Sequence, residues 1–173
     1  TVGDNPGLES SVAVFIDGVY RSRSGIGLNE LGEIERVEVL RGPQGTLYGS
    51  GSMGGTLRVI LNKPDASRYA GAVEAQGTST KGGSNGYSVK GMVNVPVGES
   101  MALRVAGYYT KRDGFTENLF NNTQIDGRDM YGVRGSLRWE PGPDTKLTLM
   151  AYYFKEDDNR LRIQRNLCHR DPT

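Results

Sequence analysis

A mainly β chain is predicted, in which a small mixed α/β segment leads into antiparallel strands of a transmembrane β-barrel. Three observations predict it. Residues 1–66 mix short apolar runs with Gly-rich turns, whereas residues 67–173 alternate apolar and polar side chains strand after strand. Tyrosines recur on the apolar face at one end of successive strands. The connections are short at one end of those strands and long and polar at the other, the asymmetry of outer-membrane barrels.

In the first part, Val12-Ala13-Val14-Phe15-Ile16 is a continuous apolar run closed by Asp17-Gly18, a buried strand and its turn. Leu28-Asn29-Glu30-Leu31 suits a short helical turn. From Ile34 to Arg41 apolar and charged residues alternate, which predicts a strand buried on one face, and Gly42-Pro43 stops it. Thr56-Leu57-Arg58-Val59-Ile60-Leu61 predicts another strand, closed by Asn62-Lys63-Pro64.

In the second part, about five strands are predicted, over residues 71–78, 87–96, 101–111, 130–141 and 146–155. Met101, Leu103, Val105, Gly107 and Tyr109 share one side, opposite Ala102, Arg104, Ala106, Tyr108 and Thr110. Tyr131, Val133, Gly135, Leu137 and Trp139 likewise oppose Gly132, Arg134, Ser136 and Arg138. One apolar and one polar face suit a half-buried sheet in water, or a barrel with lipid outside and water inside. Tyr87, Tyr109, Tyr131 and Tyr153 fall on the apolar face at neighbouring strand ends, and Trp139 lies on that face near the opposite end. The spacing from Tyr131 to Trp139 is about what a tilted strand needs to cross a bilayer. Amphipathic rings favour the headgroup level, so the row reads as an interfacial girdle; the other reading is that the rings cap a β-sandwich core. Short links lie at Gly98-Glu99-Ser100 and at residues 141–145, and a long polar one spans residues 112–129, which the barrel reading places outside the cell.

Composition narrows the classes. Of 173 residues, 21 are basic and 20 acidic, a net charge of +1 that offers no footprint for nucleic acid and no polybasic membrane patch. Glycine is abundant at 25 residues, as many turns and close backbone approaches require. Mean hydropathy is −0.51, and no apolar run is long enough for a transmembrane helix, which leaves a barrel open. Thr1-Val2-Gly3-Asp4 shows neither signal-peptide pattern nor initiator Met, and residues 168–173 end in loop-like sequence, so the chain is expected to be a piece of a longer one. The single cysteine, Cys168, either pairs with a residue elsewhere or stays a free thiol. One histidine, His169, builds neither a metal site nor a catalytic dyad, and no cofactor is expected. Gly49-Ser50-Gly51-Ser52-Met53-Gly54 matches a dinucleotide fingerprint by letter, but a strand follows where that fold needs a helix; these are turn glycines.

The stretch Ile34-Glu35-Arg36-Val37-Glu38-Val39-Leu40-Arg41-Gly42-Pro43-Gln44-Gly45-Thr46-Leu47-Tyr48-Gly49, followed by Gly54-Gly55-Thr56-Leu57-Arg58-Val59-Ile60-Leu61-Asn62-Lys63-Pro64, closely resembles the plug signature of TonB-dependent outer-membrane receptors of the siderophore type. Val14-Phe15-Ile16-Asp17-Gly18-Val19-Tyr20 looks like that family's preceding plug strand. The resemblance covers about 50 residues, and Leu57-Arg58-Val59 departs from its usual Ile-Asn-Ile. It implies residues 1–66 as the C-terminal part of a plug and residues 67–173 as the first strands of a barrel of about 22 strands. The first part of the plug and the TonB box are absent from this stretch.

The resemblance also implies transport without bond chemistry, in the outer membrane of a Gram-negative bacterium. A ferric siderophore or similar ligand binds at the plug apex, and the TonB–ExbB–ExbD complex drives it inward. Tyr20, Arg21 and Arg23, on a Gly-flanked loop over residues 20–24, and Gln44 and Tyr48 on a second segment are the implied apex residues, with the arginines suited to an anionic chelate. Arg21 and Arg23 could instead pair with wall carboxylates, and Tyr48 could instead pack the plug. Arg104, Arg134 and Arg138, facing the lumen, are expected to pair with plug acids such as Glu33, Glu35 or Glu38. A passive outer-membrane channel and a soluble β-sandwich binding module are the competing readings.

Overall fold

The computed structural model describes residues 10–21, 33–80, 85–114, 116–118 and 122–159, which fold as two main sheets. Strand β1 (Val12–Ile16) turns at Asp17-Gly18 into β2 (Val19–Arg21), with both turn residues at positive φ (46° and 83°), the backbone that two-residue Asp-Gly hairpins favour. After β3 (Ile34–Arg41) come a single helical turn α1 (Gly45–Tyr48), a 3-10 turn at Ser50–Ser52 and β4 (Gly55–Leu61). The order is β2-β1-β4-β3, with β1 parallel to β4 and the other pairs antiparallel. The core sits where β1 meets β4, at Ile16, Val59 and Leu61. Gly55 enters β4 at φ 148°, and a Cβ there would stand 2.6 Å from the Leu40 carbonyl oxygen, so the second glycine of the Gly54-Gly55 pair cannot carry a side chain.

The second sheet is the predicted meander: β5 (Ala70–Ser79), β6 (Asn85–Pro96), β7 (Met101–Arg112), β10 (Arg128–Gly142) and β11 (Thr145–Asp158), all antiparallel to their neighbours. Each strand is slightly longer than its alternation predicted. Residues 112–129 are not plain loop. They contain a hairpin of β8 (Thr116–Asn118) and β9 (Thr123–Ile125), too short and too polar for periodicity to announce.

Burial on the meander is inverted relative to a sheet in water. Ala102, Ala106, Tyr108, Thr110, Arg134 and Ser136 are buried, whereas Leu103, Val105, Val133 and Trp139 on the apolar face are exposed, and Val73 is 81% exposed. A contiguous exposed patch of Val, Leu and aromatic side chains on a polar-cored sheet is what a lipid-facing wall needs. The tyrosine row is real: Tyr131 lies opposite Tyr109, and the Tyr87–Tyr109 and Tyr131–Tyr153 ring centroids are 5.7 and 6.0 Å apart.

Two expectations are corrected. Strand β3 is not buried on one face by the described residues; Val37 and Val39 are 50% and 64% exposed. Tyr20 and Arg21 belong to β2 rather than to a loop. The helical turn expected at Leu28-Asn29-Glu30-Leu31 lies outside the described residues.

If the apolar face meets lipid, Val105→Arg, mid-strand on that face, destabilises the folded protein in vesicles by about 2–4 kcal/mol. Urea unfolding measures it, and an unchanged midpoint would put that face in water.

Candidate functional site

The register gives the four-stranded sheet two distinct ends. Strand β4 starts at Gly55, beside Val12 and Arg41, and finishes at Leu61, beside Ile34. The Leu61 end carries the Asp17-Gly18 turn, where Leu61 N–H donates to Asp17 Oδ1 at 3.1 Å, and Glu33, whose carbonyl accepts from Asn62 N–H at 3.1 Å. The opposite end carries α1 and the end of β2.

The expected site residues gather at that opposite end. Gln44 ties the loop together: its N–H donates to the Ser52 carbonyl at 2.9 Å, its carbonyl accepts from Tyr48 N–H at 3.0 Å, and its side chain reaches the Arg41 carbonyl at 3.4 Å. Tyr48 packs edge-on against Phe15 at 5.2 Å, and the Arg58 guanidinium lies 5.9 Å over its ring. Tyr20 packs on the same Phe15 at 5.5 Å and keeps 45% of its surface exposed. Arg21 closes β2 exposed, and Arg23 lies outside the described residues. Tyr20 and Tyr48 thus share one aromatic cluster, with Arg21 and Gln44 at its margins.

The two sheets meet through polar groups. Arg104 grips Glu33 with both ends of its guanidinium, Nε to Oε2 at 2.7 Å and Nη2 to Oε1 at 2.6 Å, with both side chains largely buried. Arg134 Nη2 stands 3.8 Å from Glu33 Oε2. Of the three arginines expected to pair with acids of the first sheet, these two do. Arg138 instead pairs with Glu140 on its own strand at 2.5 Å. Glu35 and Glu38 also stay within their own sheet: Glu35 pairs with Arg36, and Glu38 with Arg36 at 2.8 Å and Arg58 at 2.5 Å. Their hydrogen bonds, Glu38's first, raise the Arg36 guanidinium above its ordinary value. A partner two residues away, or across one strand pair, is reached without ordering anything else.

Known proteins resolve what this arrangement is. Residues 3–56 match the family model of the TonB-dependent receptor plug domain. The iron-regulated outer membrane virulence protein of Vibrio cholerae is 31% identical over 132 residues, covering 75% of this chain and 20% of that protein. The vitamin B12 transporter of Vibrio vulnificus is 28% identical over 152 residues, covering 77% and 24%. Among solved structures, the ferric yersiniabactin uptake receptor of Yersinia pestis superposes with a TM-score of 0.72 at 25% identity, covering 84% of this chain and 23% of that one. The chain belongs to the TonB-dependent receptors. It spans about a fifth to a quarter of the length of the curated relatives named here. Its mainly β fold, with a small mixed sheet and a lipid-facing wall, is that of these receptors, and its place is the outer membrane of a Gram-negative cell.

Sequence reasoning missed three residues of this receptor. Arg58 stands where the family signature usually has Asn, and the departure was itself the signal, since an arginine there calls for a carboxylate and finds Glu38. Phe15, read only as core, organises the aromatic cluster. Asn94 gave no signal. It is 1% exposed on the lumen side of β6 and holds the segment joining the two sheets: Asp65 N–H donates to its Oδ1 at 2.9 Å, and its Nδ2 donates to the Asp65 and Arg68 carbonyls at 2.8 Å each. Ser67, through its hydroxyl first and then its N–H, donates to the Asp65 carboxylate at 2.6 and 2.9 Å and holds it below the usual carboxylate range.

Asn94→Ala leaves these three backbone groups short of a partner and is expected to cost about 1–3 kcal/mol. Limited proteolysis of the receptor in membranes should show faster cleavage within residues 62–69, with the strands still protected. Unchanged cleavage would mean that Asn94 does not hold the segment.

Proposed function

We propose that the chain is part of an active importer that takes a scarce ligand, foremost a ferric siderophore, across the outer membrane with energy passed from the TonB–ExbB–ExbD complex. In this reading residues 1–66 are the C-terminal part of the plug and residues 67–173 the first barrel strands. The observation that carries it is the placement of the small sheet on the lumen face of a lipid-facing wall, attached there by Glu33–Arg104 and by Asn94. A passive channel has no use for a sheet pinned inside it. A water-soluble binding module has no use for an exposed belt of Val, Leu and Trp.

Iron supports the ligand class: one relative is named as iron-regulated and one solved neighbour as a ferric yersiniabactin uptake receptor. The vitamin B12 relative makes a cobalamin the second ligand to test. No bond is made or broken in such a cycle, so we assign no enzymatic activity and no cofactor. Tyr20, Arg21, Arg23 and Gln44 are assigned to ligand contact at the plug apex. Tyr48, engaged by Phe15 and Arg58, supports them from beneath.

Deleting the gene should abolish uptake of radioactive iron from one member of a ferric siderophore panel under iron limitation, and the gene in trans should restore it. Loss of TonB should stop uptake while surface binding of the same chelate persists. Uptake of the whole panel unaffected by deletion, alongside lost cyanocobalamin uptake, would move the assignment to cobalamin. Uptake independent of TonB would replace the importer with a passive channel.

A further inference from the structure

One row of side chains crosses all four strands of the small sheet on a single face. Tyr20 on β2 lies opposite Phe15 on β1, Phe15 opposite Arg58 on β4, and Arg58 opposite Glu38 on β3. Tyr48 of α1 packs over the row, its ring 5.2 Å from Phe15 and 5.9 Å from the Arg58 guanidinium. Arg21 is opposite Val14, one position along, so it falls on the other face, and Arg58 is the cation beside these rings. Glu38 takes one corner of that guanidinium, Nη1 to Oε2 at 2.5 Å. Nε and Nη2 have no acceptor among the described residues, and the side chain is 33% exposed. Glu38 does not need Arg58 for charge balance, because Arg36 Nε reaches its other oxygen at 2.8 Å.

On the basis of the importer reading, we infer that Arg58 is a ligand-binding residue, donating Nε and Nη2 to the anionic oxygens of an aromatic chelate whose ring lies against the Tyr20–Phe15–Tyr48 cluster. A guanidinium presents its donors in a flat fork, which suits paired oxygens held close together on one ring. In a ferric catecholate those oxygens carry negative charge and sit directly on the aromatic edge. A ring so placed gains from both neighbours, ring to ring with the tyrosines and cation to ring with Arg58. Glu38 and Tyr48 already hold the guanidinium between them, so little side-chain freedom is lost on binding. Glu38 is thereby a positioning residue that acts through Arg58. Hydroxamate chelates offer neither the ring nor the negative charge.

The test is equilibrium binding to the receptor purified from outer membranes, with radioactive iron in two chelates. One is ferric enterobactin, an anionic catecholate; the other is ferrichrome, a neutral hydroxamate without aromatic rings. The unsubstituted receptor should take ferric enterobactin and leave ferrichrome. Arg58→Gln should weaken ferric enterobactin binding by about ten- to a hundredfold and flatten its dependence on salt. Glu38→Gln keeps an oxygen for Nη1 and removes an acid from beside the site, so affinity should hold or rise. A purely structural ion pair predicts otherwise, since either substitution breaks it and both would weaken binding alike. Arg58→Lys keeps the charge without the fork and should weaken binding less than Arg58→Gln. It also serves if Arg58→Gln no longer shows the mobility shift of a folded barrel between unboiled and boiled samples. Equal weakening by Arg58→Gln and Glu38→Gln would overturn the inference, as would unchanged affinity in either Arg58 variant. A receptor that takes ferrichrome instead, or that does not bind ferric enterobactin, would overturn it too. Binding of ferric enterobactin without TonB-dependent uptake would count against the importer reading alone.

Discussion

Hydrocarbon offers no hydrogen bonds, and most of this structure follows from that. A wall in lipid must pair its own backbone and turn its polar side chains inward. The alternation of β7 and β10 does both, sending Leu103, Val105 and Val133 out and Arg104, Ser136 and Arg134 in. With 12 residues each, β6 and β7 are long enough to cross while tilted. The same constraint bears on β5 and β11, the edges of the meander. An unpaired edge cannot lie against lipid, so each demands another strand beside it.

A polar lumen in turn decides what can sit inside it. An apolar sheet face pressed on this wall would leave Arg104, Arg134 and Asn94 without partners at several kcal/mol each. The contacts found are a carboxylate on Arg104 and backbone groups on Asn94. The two differ in kind. Asn94 is fully used by a short segment next to β5 and makes a fixed anchor. Glu33 reaches across to its arginine from a left-handed backbone.

Much of this was legible in the sequence, because period two fixes the face of every residue on a strand once any one is placed. The five meander strands, the tyrosine row, the opposing faces and the plug signature all follow from position along the chain. Partners do not. Alternation put Arg138 on the lumen face, yet its carboxylate is Glu140, two residues away on the same face. Glu33, Glu35 and Glu38 looked alike as candidates, and only the ends of β3 and β4 determine that Glu33 alone reaches the wall. Strand β3 alternates as a half-buried strand does, and what would cover its apolar face is not among the described residues. Asn94 carries no pattern, since a buried amide that satisfies a passing chain depends on where that chain passes.

Sheet order also determines how the plug would yield to force. Strand β4 is central, bonded to both β1 and β3, and it leads directly into the segment that Asn94 holds. Strand β1 runs parallel to it, beginning at Val12 beside Gly55, the end remote from that anchor. A pull applied ahead of Val12 and directed toward the anchored end peels β1 from its start, breaking the β1–β4 ladder a few hydrogen bonds at a time rather than shearing them together. Strands β3 and β4 keep their pairing and their hold on the wall meanwhile. Under such a pull the parallel register would let the sheet open progressively from the start of β1, while Asn94 holds the segment after β4 on the wall.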